Sequence, residues 1–223
     1  MSGTSCKFEN IDKLCDIGSA PILANFERNQ ADQALAELGS RQSELIHMLQ
    51  IKNGFYAFES ALHVFPFSPS NLFEGQDLIH WNASSLWKYA YGSYLDETFC
   101  FAEDIFGYQF CIADSRIRLM DPETGQFDDI CGTVEEWAGL VCDDFNVRTG
   151  FPVAHEWQRK NGPLKFGNRL VPIYPLVSSQ GTYNVENFYE INALRGLLSR
   201  ADFAKQIASV PDGGRIRLTA KNL

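Results

Sequence analysis

Two adjacent carboxylates, Glu103 and Asp104, follow the apolar run 99–102 and precede Ile105-Phe106-Gly107. Three roles are open to them. An acid–base pair or a metal site needs the two groups to converge, whereas neighbours on a strand point to opposite faces. A turn closed by Gly107 needs no chemistry, because one carboxylate then accepts backbone N–H groups. A surface pair would contact a partner. The four histidines, His47, His63, His80 and His155, are scattered, and none lies three to five residues from another. Each therefore reads as a helix-surface or packed residue, and an acid–base machine would have to be assembled from distant elements. No phosphate loop, dinucleotide fingerprint, H-E-x-x-H or G-x-S-x-G is present. The six cysteines, at 6, 15, 100, 111, 131 and 142, show no C-x2-C spacing. They do not support a zinc site; Cys100, Cys111 and Cys142 sit among apolar residues and read as small buried hydrophobes. No metal and no cofactor are expected, and the chain reads as a non-enzyme.

Charge points elsewhere. The 223 residues carry a formal net charge of −9, and the excess is local. Residues 91–145 hold 13 acids against Arg116 and Arg118 alone, a net of −11, whereas residues 146–223 come to +6. Nucleic-acid affinity rests on neutralising phosphates with Lys and Arg, so an acidic chain is not expected to bind it. Basic partners should be attracted instead; the alternative is a solvated face that serves solubility. The carboxylates expected to contact a partner are Glu103, Asp104, Asp121, Glu123, Asp128, Asp129, Glu136, Asp143 and Asp144. Glu136 and Asp143, seven apart, would share the helical face away from Trp137 and Val141. The four tryptophans fit core positions, with one or two free to anchor an interface.

The elements that must place these residues are legible in part. Residues 1–28 show little periodicity and read as an irregular arm or a short helix. Ala31, Ala34, Leu35 and Leu38, then Leu45, Ile46 and Leu49, mark helix interrupted at Gly39-Ser40 and stopped at Asn53-Gly54. Residues 55–66 read as one extended segment and 78–91 as a short helix. Runs 98–102, 108–113, 116–120 and 126–131 predict adjacent antiparallel strands, with a turn at Asp121-Pro122-Glu123-Thr124-Gly125. Thr133 and Glu136 form a capping box that opens a helix running to Gly150. A helix at 153–159, an edge or loop at 170–177, an extended segment at 183–189, a helix from Asn192 and a terminal strand at 215–220 complete the chain. The expected fold is α+β: one domain over 29–223 with a central, mostly antiparallel sheet flanked by helices. No run approaches the ~18 apolar residues of a membrane span. The first twenty residues lack the apolar core of a secretory signal, so a cytoplasmic location is expected.

The ordered series Asn53-Gly54-Phe55, Leu62-His63-Val64-Phe65-Pro66, Trp87, Phe101-Ala102-Glu103-Asp104, Phe106-Gly107, Gln109-Phe110 and Asp121 to Gly125 resembles bacterial members of the SUKH superfamily, relatives of a fungal regulator of cell-wall synthesis. Glu136-Trp137, Trp157, Arg169-Leu170, Pro172, Tyr183, Asn187, Ala204, Gln206-Ile207 and Pro211-Asp212-Gly213 extend the similarity to the end of the chain. Ser179-Gln180-Gly181 departs from the glycine pair expected before Tyr183. The resemblance implies an α+β binding protein without a reaction, an immunity protein that neutralises a cognate toxin domain. Charge adds that this toxin is basic, as a nuclease would be. The alternative is a regulatory adaptor or scaffold that binds an endogenous partner.

Overall fold

The computed structural model describes residues 8–70, 76–208, 210–211 and 213–215. Six strands form one antiparallel sheet in sequence order: β1 Phe55–Ala57, β2 Leu62–Val64, β3 Phe99–Asp104, β4 Gln109–Ala113, β5 Arg116–Met120 and β6 Phe127–Cys131. The segment 55–66, expected to be a single extended run, is the hairpin β1–β2. It reverses through Phe58, Glu59 and Ser60, all at positive φ (53°, 52° and 68°). No glycine advertises this turn, which is why the sequence conceals it. Strand β3 is covered on both faces, as its unbroken apolar run implies.

Helices cover each face. On one lie α1 Glu9–Ile17, α3 Ser40–Ile51 and α5 Val134–Asp143, with the Trp137 ring 4.8 Å from Phe101 and 5.4 Å from Phe110. Segment 1–28 thus contributes a helix whose Ile11, Leu14 and Cys15 belong to the main core. A further short helix, α2 Arg28–Ala34, leads toward α3. Thr133 caps the helix as expected, accepting from the Glu136 N–H, but the Glu136 carboxylate returns one residue before the cap, to the N–H of Gly132. The helix does not run to Gly150, however. It gives way to α6 Phe145–Thr149 and then α7 Phe151–Asn161, separated by Gly150 at φ 69°. A Cβ at Gly150 would lie 2.4 Å from the Phe106 ring and 2.7 Å from Ile105, so a close approach as well as a left-handed turn requires glycine there.

On the other face, the expected helix at 78–91 shrinks to α4 Leu78–Trp81 and a 3-10 turn at Lys88–Ala90. Asn82 breaks it by turning its amide onto both the N–H and the carbonyl of Cys100 in β3. Strands β7 Asn168–Pro172 and β8 Phe188–Asn192 form a separate two-stranded sheet, with Pro172 at its end, where a missing N–H costs least. Helix α8 Ala193–Ile207 begins at Asn192, whose side chain accepts from the Arg195 N–H. Ile105, Phe106, Leu170, Val185, Phe188, Ala154 and Trp157 make a second, smaller core. The result is a single compact α+β domain. The expected terminal strand at 215–220 lies, beyond Arg215, outside the described residues.

Candidate functional site

Pairing registers decide where the candidate carboxylates go. His63 faces Glu103 across β2–β3, and Glu103 faces Gln109 across β3–β4, so the three side chains share one face of the sheet. Arg169 of β7 reaches the same point. Glu103 Oε1 lies 2.8 Å from Arg169 Nε and 3.2 Å from His63 Nδ1, and its Oε2 accepts from Gln109 Nε2 at 3.1 Å. Trp81 Nε1 donates to Gln109 Oε1 at 2.7 Å, and Tyr56 stacks on His63 with ring centroids 4.3 Å apart. A distant histidine therefore does meet Glu103. Yet His63, Glu103, Gln109 and Arg169 are all fully buried, which leaves a substrate no approach. Burial opposes the Glu103 charge, but Arg169, His63 and Gln109 outweigh it and hold its pKa below the usual range. Burial drives His63 down to about 4, so the ring is neutral and the ion pair belongs to Glu103 and Arg169.

Asp104 points the other way, as strand alternation requires. Its Oδ1 accepts from the N–H groups of Phe106 and Tyr108, both at 2.9 Å. This is the turn reading of the Glu103-Asp104 pair. Burial nevertheless raises its pKa to about 8, against those two N–H groups and the more distant Arg169 and Arg200. Glu123, expected at the surface, is buried; its two oxygens accept from the N–H groups of Leu176 and Val177. Half-buried Asp121 accepts from the Glu123 N–H, and burial raises both pKa values. Glu135 bonds the N–H groups of Asn10 and Ile11 at the start of α1, and Glu44 does the same for α5 at Val134. The expectation of one continuous acidic surface from 103 to 144 is corrected accordingly. Glu103, Asp104 and Glu123 are interior groups, because turns and helix starts present unpaired N–H donors that a carboxylate satisfies.

Asp128, Asp129, Glu136, Asp143 and Asp144 remain exposed. Asp129 is taken up by Arg118 at 2.7 Å and Arg116 at 3.4 Å, Asp143 lies 3.9 Å from Lys13, and Glu136 holds the Gly132 N–H. Asp128 and Asp144 carry no side-chain hydrogen bond or ion pair among the described residues. Both are neighbours, in the sheet or along the chain, of residues that line one feature, a cavity of about 510 Å³ between the sheet, α6 and the start of α7. Phe110, Leu119 and Ile130 wall it on the sheet side, and Arg148, Tyr108 and Asp104 supply polar groups. Asp128 faces Leu119 across β5–β6 and so shares the cavity's face, while Asp144 stands at the start of α6, two residues ahead of Asn146, the first of that helix to line the cavity. Val147 and Tyr183 in the lining are 75% and 58% exposed, an apolar rim open to solvent. All four tryptophans are buried, so the aromatic anchors expected among them are instead core residues.

Sequence reading missed Arg169, Arg148 and the tyrosines of this face. Only Arg169 left a signal: a cation inside the apolar strand text Leu170-Val171 asks for a buried acid. Among the described residues no group of three or more His, Cys, Asp and Glu could hold a metal ion, and no helix is long and apolar enough to cross a membrane.

No protein-family model matches the sequence, and no curated protein matches it. The chain is similar in structure to Atu4351 from Agrobacterium tumefaciens, solved by crystallography, with a TM-score of 0.52 and 12% identity over 87% of this chain and 88% of that one. At that identity the likeness speaks for the fold.

Proposed function

We propose that this chain is a non-catalytic binding protein, an immunity protein of the kind its SUKH resemblance implies, which neutralises a toxin domain in the cytoplasm. One observation carries the reading: Asp128 and Asp144, two exposed carboxylates with no side-chain partner among the described residues, neighbour residues that line an apolar cavity with an exposed rim. Interfaces concentrate binding energy where an apolar anchor fills a pocket, and charges at the edge set approach and orientation. Such a face suits a partner that offers an apolar side chain among basic groups, as the cleft of a nuclease toxin would. The sealed Glu103–His63–Arg169 cluster, with Asp104 turned to the opposite face, supports a protein that leaves covalent bonds alone.

The test uses the product of the adjoining gene, expressed with and without this chain in a growth assay and then titrated by calorimetry. Rescue of growth with a tight complex supports the reading. A complex with a non-toxic partner makes the chain a regulatory adaptor, and the absence of any complex overturns both. Asp128→Lys with Asp144→Lys should weaken the complex about tenfold or more, while Asp129→Asn, which alters a carboxylate already engaged by arginine, should do less.

A further inference from the structure

Cys100 and Cys111 stand directly opposite one another on β3 and β4, the central strands of the sheet. Opposed residues of an antiparallel pair have Cα atoms about 4.5 to 5.5 Å apart, inside the span a disulfide bridges. Their Sγ atoms are 2.7 Å apart, both residues are fully buried, and both thiols are free.

Beside them lies an unusual cation. Lys88 is 1% exposed, and its ammonium donates to the Thr98 carbonyl at 2.6 Å with no carboxylate partner among the described residues. A buried ammonium needs a compensating negative charge. Cys100 stands next but one to Thr98, the residue that holds the ammonium, at the start of β3. Burial opposes a thiolate there, but the Cys111 thiol, Lys88 and Thr98 together bring the Cys100 pKa below its ordinary value, while that of Cys111 is pushed well above. One sulfur is thus disposed to attack and the other to remain a protonated thiol, the division of labour of a two-cysteine redox site.

We propose that Cys100 and Cys111 form an oxidation site, converted by a small peroxide into a disulfide that ties β3 to β4. The Cys100 thiolate attacks one peroxide oxygen, the O–O bond breaks, and the departing hydroxide takes up a proton to leave as water. The resulting Cys100 sulfenic acid is attacked by Cys111 sulfur; the S–O bond breaks, the Cys111 proton leaves with the hydroxyl as a second water, and the S–S bond forms. Two thiols are oxidised by two electrons and one hydrogen peroxide is reduced to two waters. Both sulfurs are closed to solvent, so the site selects for an oxidant of nearly water size and reacts through local opening of the sheet.

The folded full-length protein is treated with hydrogen peroxide, quenched, unfolded in N-ethylmaleimide and mapped by peptide mass spectrometry. The expected result is a Cys100–Cys111 cross-linked peptide, reversed by dithiothreitol, with Cys15 and Cys131 alkylated. Cys100→Ser should abolish the link, and Lys88→Met should slow its formation about tenfold, whereas Lys88→Arg should retain most of the rate. Full alkylation of Cys100 and Cys111 after peroxide, or a link to another cysteine, overturns the proposal, and this readout on the unaltered chain stands even if Lys88→Met does not fold. An unchanged rate in folded Lys88→Met overturns the assigned role of the ammonium.

Discussion

Asp104→Asn sets burial against hydrogen bonding at one atom. The carboxyl is buried yet accepts two backbone N–H groups, and these influences pull its pKa in opposite directions. If burial prevails, the folded-state pKa of about 8 lies above the ordinary value of 3.8. The unfolded chain then releases the proton first, so the folded state binds more protons between pH 3.8 and about 8, and stability falls as pH rises through that window. At pH 7 about three units of that window have been crossed, a loss of about 4 kcal/mol at 1.36 kcal/mol per unit. Asn cannot ionise, and its Oδ1 still accepts from Phe106 and Tyr108. Asp104→Asn should therefore match the parent near pH 4 and exceed it by about 4 kcal/mol at pH 7. Urea unfolding of both proteins at pH 4, 5.5, 7 and 8.5 measures this, and groups common to the two proteins cancel in the difference. A variant less stable than the parent at pH 7 by about 1–3 kcal/mol, the usual cost of weakening a charge-assisted bond, would refute the reasoning and leave the two N–H groups in command.

Three further outcomes follow from neighbouring geometry. Arg169→Met strands the Glu103 charge in the interior and should cost about 3–5 kcal/mol, most of it recovered when Glu103→Gln is added; a single variant within 1 kcal/mol of the parent in urea titration would contradict a buried ion pair. His63 is held neutral, with its folded pKa near 4 below the unfolded 6.5, so the unfolded chain binds the extra proton between those values. Stability from this group is present above pH 6.5 and falls by about 3 kcal/mol as pH drops to 4, a slope that His63→Gln should flatten in acid unfolding curves. Gly150→Ala places a Cβ against Phe106 and Ile105 at positive φ and should lose about 2–4 kcal/mol of stability, read as a lowered Tm; an unshifted Tm would mean that the α6–α7 corner relaxes freely.

Much of the fold was legible because its signals are local. The cap at Thr133, the strands from 98 to 131 and the helix opened by Asn192 each rest on residues within a few positions of one another. What stayed hidden depends on partners far along the chain. The β1–β2 reversal uses Phe58, Glu59 and Ser60, and the short α4 ends because Asn82 finds Cys100. The site suffered most. Whether Glu103 is a docking group or a buried ion depends on Arg169, 66 positions away, and on His63, 40 positions away. Asp128 and Asp129 look equivalent in sequence, but the β5–β6 register turns one toward Leu119 and the cavity and the other toward Arg118.

That division also limits how far electrostatics can reach. A window of net −11 suggests a strong field, yet Glu103 is neutralised by Arg169 from outside the window, Asp104 is driven toward its neutral form, and Asp129 lies against two arginines. Of the nine carboxylates expected at an interface, Asp128 and Asp144 are the two exposed ones with no side-chain partner among the described residues. Each contact in high dielectric is worth about 1 kcal/mol at 4 Å, so both together supply about 2 kcal/mol, or roughly thirtyfold in affinity. Salt shortens the screening length from about 10 Å at 0.1 M to 3 Å at 1 M and removes most of this. Affinity for the proposed partner should thus fall by less than about thirtyfold over that range, with the remainder resting on the apolar cavity and insensitive to salt. A loss of a thousandfold would mean that many more carboxylates take part than the surface offers, and would place the interface on another face of the molecule.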